Sequence, residues 1–355
     1  MRLRIAPLVV ALFALLAATG RAQVTTETGR LEGARYTIAK PAAWNGRLLL
    51  IAHGLRPDAA PLDAALDTAR PPWSRLLADG WIVALTSYRR NGVILRDAIT
   101  DLANLRQQVA LRHGQPDRVY VIGESMGGAI AARLVEHFPD DYAGAVAVGA
   151  ALQVQEPEPT LGLELTPRRP LLFLTNQSEI TGPREYVKQT QRAPVPPVLW
   201  RVARDGHVNV NAAEKLAALA ALVRWVEQSQ RPTDEADATL PPEPGPSVAR
   251  FHGDGTASGR VTGVDPVYGN LLLEFQPADL ARLDIEPNTR FALLAGDRLI
   301  RVFYGRGFNS VERGDWVAYP DSEGWLAVAI NYGNAAANSG LKAGDTVTLR
   351  RLRGE

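Results

Sequence analysis

The sequence predicts an α/β domain, a parallel sheet sandwiched by helices, followed by a small all-β barrel domain. Three observations predict it. Residues 29 to 230 alternate short continuous apolar runs with runs of helical period. Residues 231 to 249, rich in proline and acid, interrupt that alternation. Beyond them, short apolar runs recur between glycine-bearing turns. With 355 residues, 46% hydrophobic and 22% charged, the chain is long enough for two cores, and neither half has the composition of disorder.

The first residues carry a separate signal. Arg2 and Arg4 precede an apolar run from Ile5 to Ala18, broken by Pro7. Gly20 and Ala22 put small side chains at the minus-three and minus-one positions of a cut after Ala22. This is the layout of a secretory signal peptide over residues 1–22, and it implies a secreted or periplasmic protein. The run is shorter than the ~20 residues a membrane span needs, so no integral membrane segment is expected after cleavage. The chain has no cysteine, which excludes a disulfide framework, a lipid-anchor cysteine and a thiolate metal site. Its formal net charge of +1, with no Lys/Arg block, gives no electrostatic reason to expect nucleic acid as a partner.

In the first half, Leu48–Ala52 reads as a buried strand ending at His53-Gly54, and Trp81–Leu85 as another. Between Asp97 and His113, Ala98, Ile99, Leu102, Leu105 and Val109 mark one face of a helix, which Gly114 stops. Val119–Ile122 is the next strand, and a helix-like stretch runs from Ser125 to His137. Ala143–Val148, Leu171–Leu174 and Val198–Val202 are strands, and Ala212–Gln228 is the final helix. Continuous apolar strands are buried on both faces, as in a parallel sheet covered by helices. Residues 231–249 read as a stiff linker. In the second half the strand-like runs are 260–264, 271–275, 299–303, 316–319, 326–330 and 346–349. They describe a compact all-β barrel or sandwich.

One motif carries chemistry. Gly123-Glu124-Ser125-Met126-Gly127 is a G-x-S-x-G pattern between a β-branched strand and a helix. A serine on so tight a strand-to-helix turn needs small neighbours, and its hydroxyl then stands above the strand ends. The helix beginning there directs free N–H groups at a developing oxyanion. The expected oxyanion donors are the N–H groups of Met126 and of Leu55, the latter in the loop after the Leu48–Ala52 strand. A base and an acid must follow the serine in the chain, in the order serine, acid, histidine. His207, in a loop before the last helix, meets that order. His53 precedes the serine and is disfavoured as base. His113 and His137 lie at helix ends, where capping explains them, and His252 lies in the linker region. Glu179, in the loop after Leu171–Leu174, is the expected acid, with Glu156 as the alternative. Asp205 is too close to His207 along the chain and is expected to shape the turn.

With these residues, the segment from about 29 to 230 resembles the α/β-hydrolase superfamily. Trp44-Asn45-Gly46, His53-Gly54, Phe138-Pro139 and Asp141-Tyr142-Ala143-Gly144 are similar to secreted esterases of the feruloyl esterase and tannase sort. The resemblance implies a catalytic domain over residues 23–230. Only residues 152–169 are available for the superfamily's cap, which implies a small lid and an open cleft suited to bulky or polymeric esters. Glu179 stands where aspartate is commoner in the superfamily.

Residues 250–355 resemble something else. Val264-Asp265-Pro266-Val267-Tyr268-Gly269-Asn270 and Ser322-Glu323-Gly324-Trp325 through Asn331-Tyr332-Gly333-Asn334-Ala335 are similar to the barrel domain of SAM hydroxide adenosyltransferases and fluorinases. In that family the domain contacts an adenosyl group. The resemblance therefore implies that Tyr268 stacks on adenine and that Asn270, Asn331 and Ala335 line base and ribose. The family's other domain, with its catalytic aspartate, is absent, so adenosyl chemistry is not expected. Packing, surface binding and a homo-oligomer through this domain are the other readings of a retained barrel.

The leading expectation is an exported serine hydrolase, a carboxylic ester hydrolase working through an acyl-enzyme on a small-molecule or polymeric ester, with no metal or cofactor. A serine peptidase or amidase would use the same parts. A nucleoside-binding protein with a vestigial hydrolase domain is the reading from a different class.

Overall fold

A computed structural model describes residues 23–156, 161–265 and 268–352. The expected signal peptide, residues 1–22, lies outside the described residues, as do 157–160 of the expected lid and Pro266-Val267.

The first sheet begins with a hairpin, β1 (Val24–Leu31) and β2 (Ala34–Pro41), paired in antiparallel register from Val24 opposite Pro41 to Leu31 opposite Ala34. There follow β3 (Arg47–Ala52), α1 (Trp73–Ala78), β4 (Ile82–Thr86), α2 (Leu95–His113), β5 (Arg118–Glu124), α3 (Met126–His137), β6 (Gly144–Val148), β7 (Leu171–Asn176), α4 (Thr181–Gln189), β8 (Val198–Val202), α5 (Ala212–Gln228) and β9 (Ala236–Asp237). The strand order is β1-β2-β4-β3-β5-β6-β7-β8-β9. From β4 onward neighbouring strands are parallel, while β2 meets β4 antiparallel. The sheet is thus mixed, not wholly parallel. The sequence hides the hairpin because β1 is an edge strand of Thr, Glu, Gly and Arg, half-buried only at alternate positions.

Alternation along each strand feeds two cores. Leu48, Leu50, Val121 and Phe173 face α2, α3 and α4, packing with Leu102, Ile130 and Tyr186. Leu49, Ile51, Ile122 and Leu174 face α1 and α5, packing with Leu76, Leu219 and Leu222. Covering both faces explains why these strands are continuously apolar. The stretch expected to be a linker is in part an edge strand. β9 adds to β8, and Leu199 and Ala203 donate backbone N–H groups to Asp234 and Thr239 at 2.8 and 2.7 Å.

The second unit contains β10 (Arg250–Phe251), β11 (Thr256–Val264), β12 (Leu271–Leu273), α6 (Pro277–Arg282), β13 (Arg290–Ala295), β14 (Arg298–Tyr304), β15 (Trp316–Pro320), β16 (Leu326–Ile330), α7 (Ala335–Ser339) and β17 (Thr346–Arg351). The order β11-β12-β16-β15-β14-β13-β17 closes through pairing of β17 with β11, leaving β10 as an appendage. It is a closed seven-stranded barrel around Phe275, Phe291, Leu293, Val302 and Leu349. The β15–β16 turn reaches the first unit, where Glu323 accepts the Ala212 N–H at 3.2 Å.

Candidate active site

Strand β5 ends at Glu124, α3 begins at Met126, and Ser125 between them has φ 55° and ψ −117°. Positive φ at a non-glycine residue is strained, and here the surrounding packing enforces it. A Cβ on Gly123 would lie 2.0 Å from the Gly127 carbonyl oxygen, and one on Gly127 would lie 1.9 Å from that of Ala52. The turn passes so close to itself and to the end of β3 that neither position admits a side chain. Ser125 N–H donates to the Val148 carbonyl at 2.9 Å, tying the turn to β6.

The three residues predicted from chain order come together above the strand ends. His207 Nδ1 lies 2.5 Å from Glu179 Oε2, and His207 Nε2 lies 2.8 Å from Ser125 Oγ. A carboxylate only accepts, so Nδ1 carries the proton and Nε2 presents a lone pair to the serine O–H. The second Glu179 oxygen accepts the Val208 N–H at 3.1 Å. The hydrogen bond to Glu179 holds the imidazole pKa above its ordinary 6.5; half-burial opposes this, and the charges of Glu179 and Glu124 add to it. The array is open to solvent, with 53% of the His207 side chain exposed.

Three residues that the sequence reading did not single out hold the acid loop against the histidine loop. Asn176 Nδ2 donates to the Asn209 carbonyl at 2.9 Å, and Asn209 N–H returns a bond to Asn176 Oδ1 at 2.8 Å. Ser178 Oγ accepts the Gly206 N–H at 2.9 Å and lies 3.0 Å from the Gly206 carbonyl. Polar residues in two separate loops gave no periodic signal to find them by. Among the described residues, neither the Met126 N–H nor the Leu55 N–H donates to another protein group, so both remain available to an oxyanion.

The remaining candidates lie elsewhere. His53 is stacked on Tyr88 with ring centroids 4.0 Å apart, and its Nδ1–H donates to the Gly54 carbonyl at 2.7 Å. Burial, helped by the Arg56 guanidinium, pushes its pKa down to about 4, so it is a neutral prop for the Gly54-Leu55 turn. Glu156 accepts the Arg96 N–H at 3.2 Å, at the start of α2. Asp205 accepts from Gln177 Nε2 at 3.0 Å, within the loops it was expected to shape. His113 and His137 face Glu27 and Glu164, and His252 faces Ser258. Among the described residues no group of three His, Cys, Asp or Glu could hold a metal ion, and no helix is long and apolar enough to cross a membrane.

On the barrel, the four residues carried over from the adenosyl family do not form one open surface. Tyr268 is exposed, Asn270 is buried, and Asn331 Nδ2 is occupied by the Val311 carbonyl at 2.9 Å. Ala335, at the start of α7, is buried in the barrel core. A cavity of about 630 Å³ lies near Arg290, Phe303, Glu312 and Asp315, and none of the four lines it.

The fold is that of the α/β hydrolases, with a serine, a histidine and a carboxylate converging at the strand ends, joined to a closed barrel. Residues 92–215 match the family model of serine aminopeptidase S33. Residues 259–348 match that of the SAM hydroxide adenosyltransferase C-terminal domain. No curated protein matches the chain. Among solved structures, the chain is similar to a conserved uncharacterised protein of Thermotoga maritima at 21% identity over 36% of this chain, with TM-score 0.28. It covers 45% of that protein, less than half its length. It is also similar to an esterase of Pyrococcus furiosus, at 14% identity over 58% of this chain and 92% of that one, with TM-score 0.44. An acylaminoacyl peptidase of Pyrococcus horikoshii is similar at 13% identity over 52% of this chain and 38% of that one, with TM-score 0.42.

Proposed function

We propose that the chain is an exported serine hydrolase acting on carboxylic esters, and that Ser125, His207 and Glu179 are its triad. The observation that carries this reading is the continuous hydrogen-bonded line from Glu179 through His207 to Ser125. Ser125 Oγ attacks the ester carbonyl while His207 Nε2 takes its proton. The tetrahedral oxyanion settles against the N–H groups of Met126 and Leu55. The bond to the alcohol oxygen breaks, and that oxygen takes the proton from His207. Water, deprotonated by the same nitrogen, attacks the acyl-enzyme and frees the acid and Ser125. Glu179 keeps Nδ1 protonated throughout and stabilises the imidazolium. An exposed array with half-open His207 suits a bulky alcohol or a polymer-borne ester.

The match to the serine aminopeptidase model supports an amide-cleaving alternative with the same steps. Release of p-nitrophenol from short acyl esters, beside release of p-nitroaniline from aminoacyl anilides, separates the two. Ser125→Ala is the control. Equal rates in mature wild type and Ser125→Ala would end the triad assignment.

A further inference from the structure

The loop that carries His207 runs from Ala203, just after β8, to Asn211, the N-cap of α5. Two left-handed residues flank the histidine, Gly206 with φ 128° and Val208 with φ 54°. A β-branched residue at positive φ is strained, and it stays there only where surrounding bonds fix the backbone on both sides. The acid loop holds the middle of this loop through Gly206, Val208 and Asn209. Residues 237–240, in the stretch expected to be a linker, hold its two ends. Asp237 Oδ1 accepts the Thr239 N–H at 3.0 Å and the Thr239 O–H at 2.5 Å, which turns the hydroxyl oxygen to accept the Ala203 N–H at 2.7 Å. At the far end the Leu240 carbonyl accepts Asn211 Nδ2 at 2.9 Å, and the Leu240 N–H donates to Glu214 Oε1 at 3.1 Å. Fully buried Glu214 closes the clasp. It accepts the Asn211 N–H at 2.8 Å and pairs with Arg204 at 2.9 Å, and Arg204 Nη1 donates to the Asn209 carbonyl at 2.7 Å.

We propose that Thr239 and Leu240 are positioning residues: they form a strap that grips both ends of the His207 loop and keeps the base in line with the nucleophile. The proposal rests on the reading of Ser125, His207 and Glu179 given above. His207 is half-exposed, so the backbone beneath it, more than packing around its ring, decides where the imidazole stands. That ring must meet Glu179 on one side and Ser125 on the other at hydrogen-bond distance. Freeing one end of the loop lets Val208 relax toward the extended region, and the imidazole then leaves the line between its two partners. The hydrogen bonds of Thr239 and Leu240 go to Ala203, Asn211, Glu214 and Asp237, and none goes to the triad. The strap therefore acts on proton transfer through the loop, and it contributes no group to the chemistry or to substrate binding.

The test is labelling of Ser125 by a fluorophosphonate in the full chain, with the saturating rate measured apart from the half-saturating concentration. Labelling needs a working base and no knowledge of the substrate. Thr239→Val keeps the shape of threonine and removes the acceptor for the Ala203 N–H. It is expected to lower the saturating rate about tenfold, because a small misplacement of the base is costly, and to leave the half-saturating concentration unchanged. Thr239→Ser keeps the hydroxyl and restores the rate. Thr233→Val is the matched control: that hydroxyl has no hydrogen-bond partner among the described residues, and the rate stays at the wild-type value. The second readout is the proton NMR resonance of His207 Nδ1–H, far downfield while it is bonded to Glu179. It is expected to move upfield in Thr239→Val and to return in Thr239→Ser. Thr239 is exposed at the sheet edge, and circular dichroism checks that the variant is folded. A merely structural role would lower the Tm and move neither the rate nor the resonance. A folded Thr239→Val protein with wild-type rate and resonance would overturn the proposal, as would an equal loss in Thr239→Ser. Wild type that takes no label at Ser125 would instead refute the serine hydrolase reading.

Discussion

Replacing Glu179 by glutamine tests the triad at its most informative bond. The carboxylate accepts two N–H groups at once, from His207 Nδ1 at 2.5 Å and from Val208 at 3.1 Å. An amide offers one acceptor and one donor, so it cannot satisfy both. If its oxygen stays on His207, its NH2 faces the Val208 N–H, leaving a donor against a donor at a cost of about 1–3 kcal/mol. If the oxygen turns to Val208, the NH2 faces Nδ1, which must then give up its proton to Nε2. The Val208 amide is fixed by the backbone, whereas an imidazole changes tautomer readily, so the second arrangement wins. Nε2–H then points at Ser125 Oγ, and the serine has no base. Loss of the correct tautomer in a triad of this kind lowers kcat by about 10⁴, equivalent to about 5.5 kcal/mol of barrier. The assay is kcat for p-nitrophenyl butyrate across pH, with circular dichroism to show that the variant is folded. The residual activity should also have its acid limb displaced downward, because Glu179 is the principal group raising the His207 pKa. A folded Glu179→Gln protein within tenfold of wild type would refute the reasoning.

Wild-type activity should rise with pH through a midpoint above the ordinary 6.5 of histidine, since His207 must be neutral to act and its pKa is raised. A midpoint below 6.5 in the rate profile would contradict this. His53, with its pKa pushed down to about 4, should show no change in its imidazole NMR signals between pH 8 and pH 5.5, while the His207 signals should titrate with a midpoint above the ordinary 6.5. Gly127→Ala drives a Cβ to 1.9 Å from the Ala52 carbonyl oxygen and should cost about 3 kcal/mol or more in urea unfolding. Glu214 is fully buried, pairs with Arg204 and accepts the Asn211 N–H at 2.8 Å, so Glu214→Ala should cost about 3 kcal/mol by the same measurement.

Sequence by itself determined the elements whose side chains obey a period and the serine whose strand-to-helix turn needs glycines on both sides. Strands β3, β5 and β7 were legible because burial on both faces demands unbroken apolar runs. Gly123 and Gly127 marked Ser125 because no other residue fits where that backbone meets itself. Chain order singled out His207 and Glu179 as candidates, and the structure brings both to Ser125. What tertiary structure alone decided are matters of backbone pairing and of contact between distant loops. Hairpin β1–β2 and edge strand β9 are held by main-chain hydrogen bonds and carry little apolar pattern. Chain order sets His53 aside as a base, and only the structure shows what its ring does instead, stacked on Tyr88. Asn176, Ser178 and Asn209 lie in loops about 30 residues apart and acquire a role only when those loops meet. The junction of Glu323 with α5 spans 111 residues of chain. Periodicity reports what one segment buries, and it is silent about a single polar contact between two segments, because that contact depends on where the whole chain has put them.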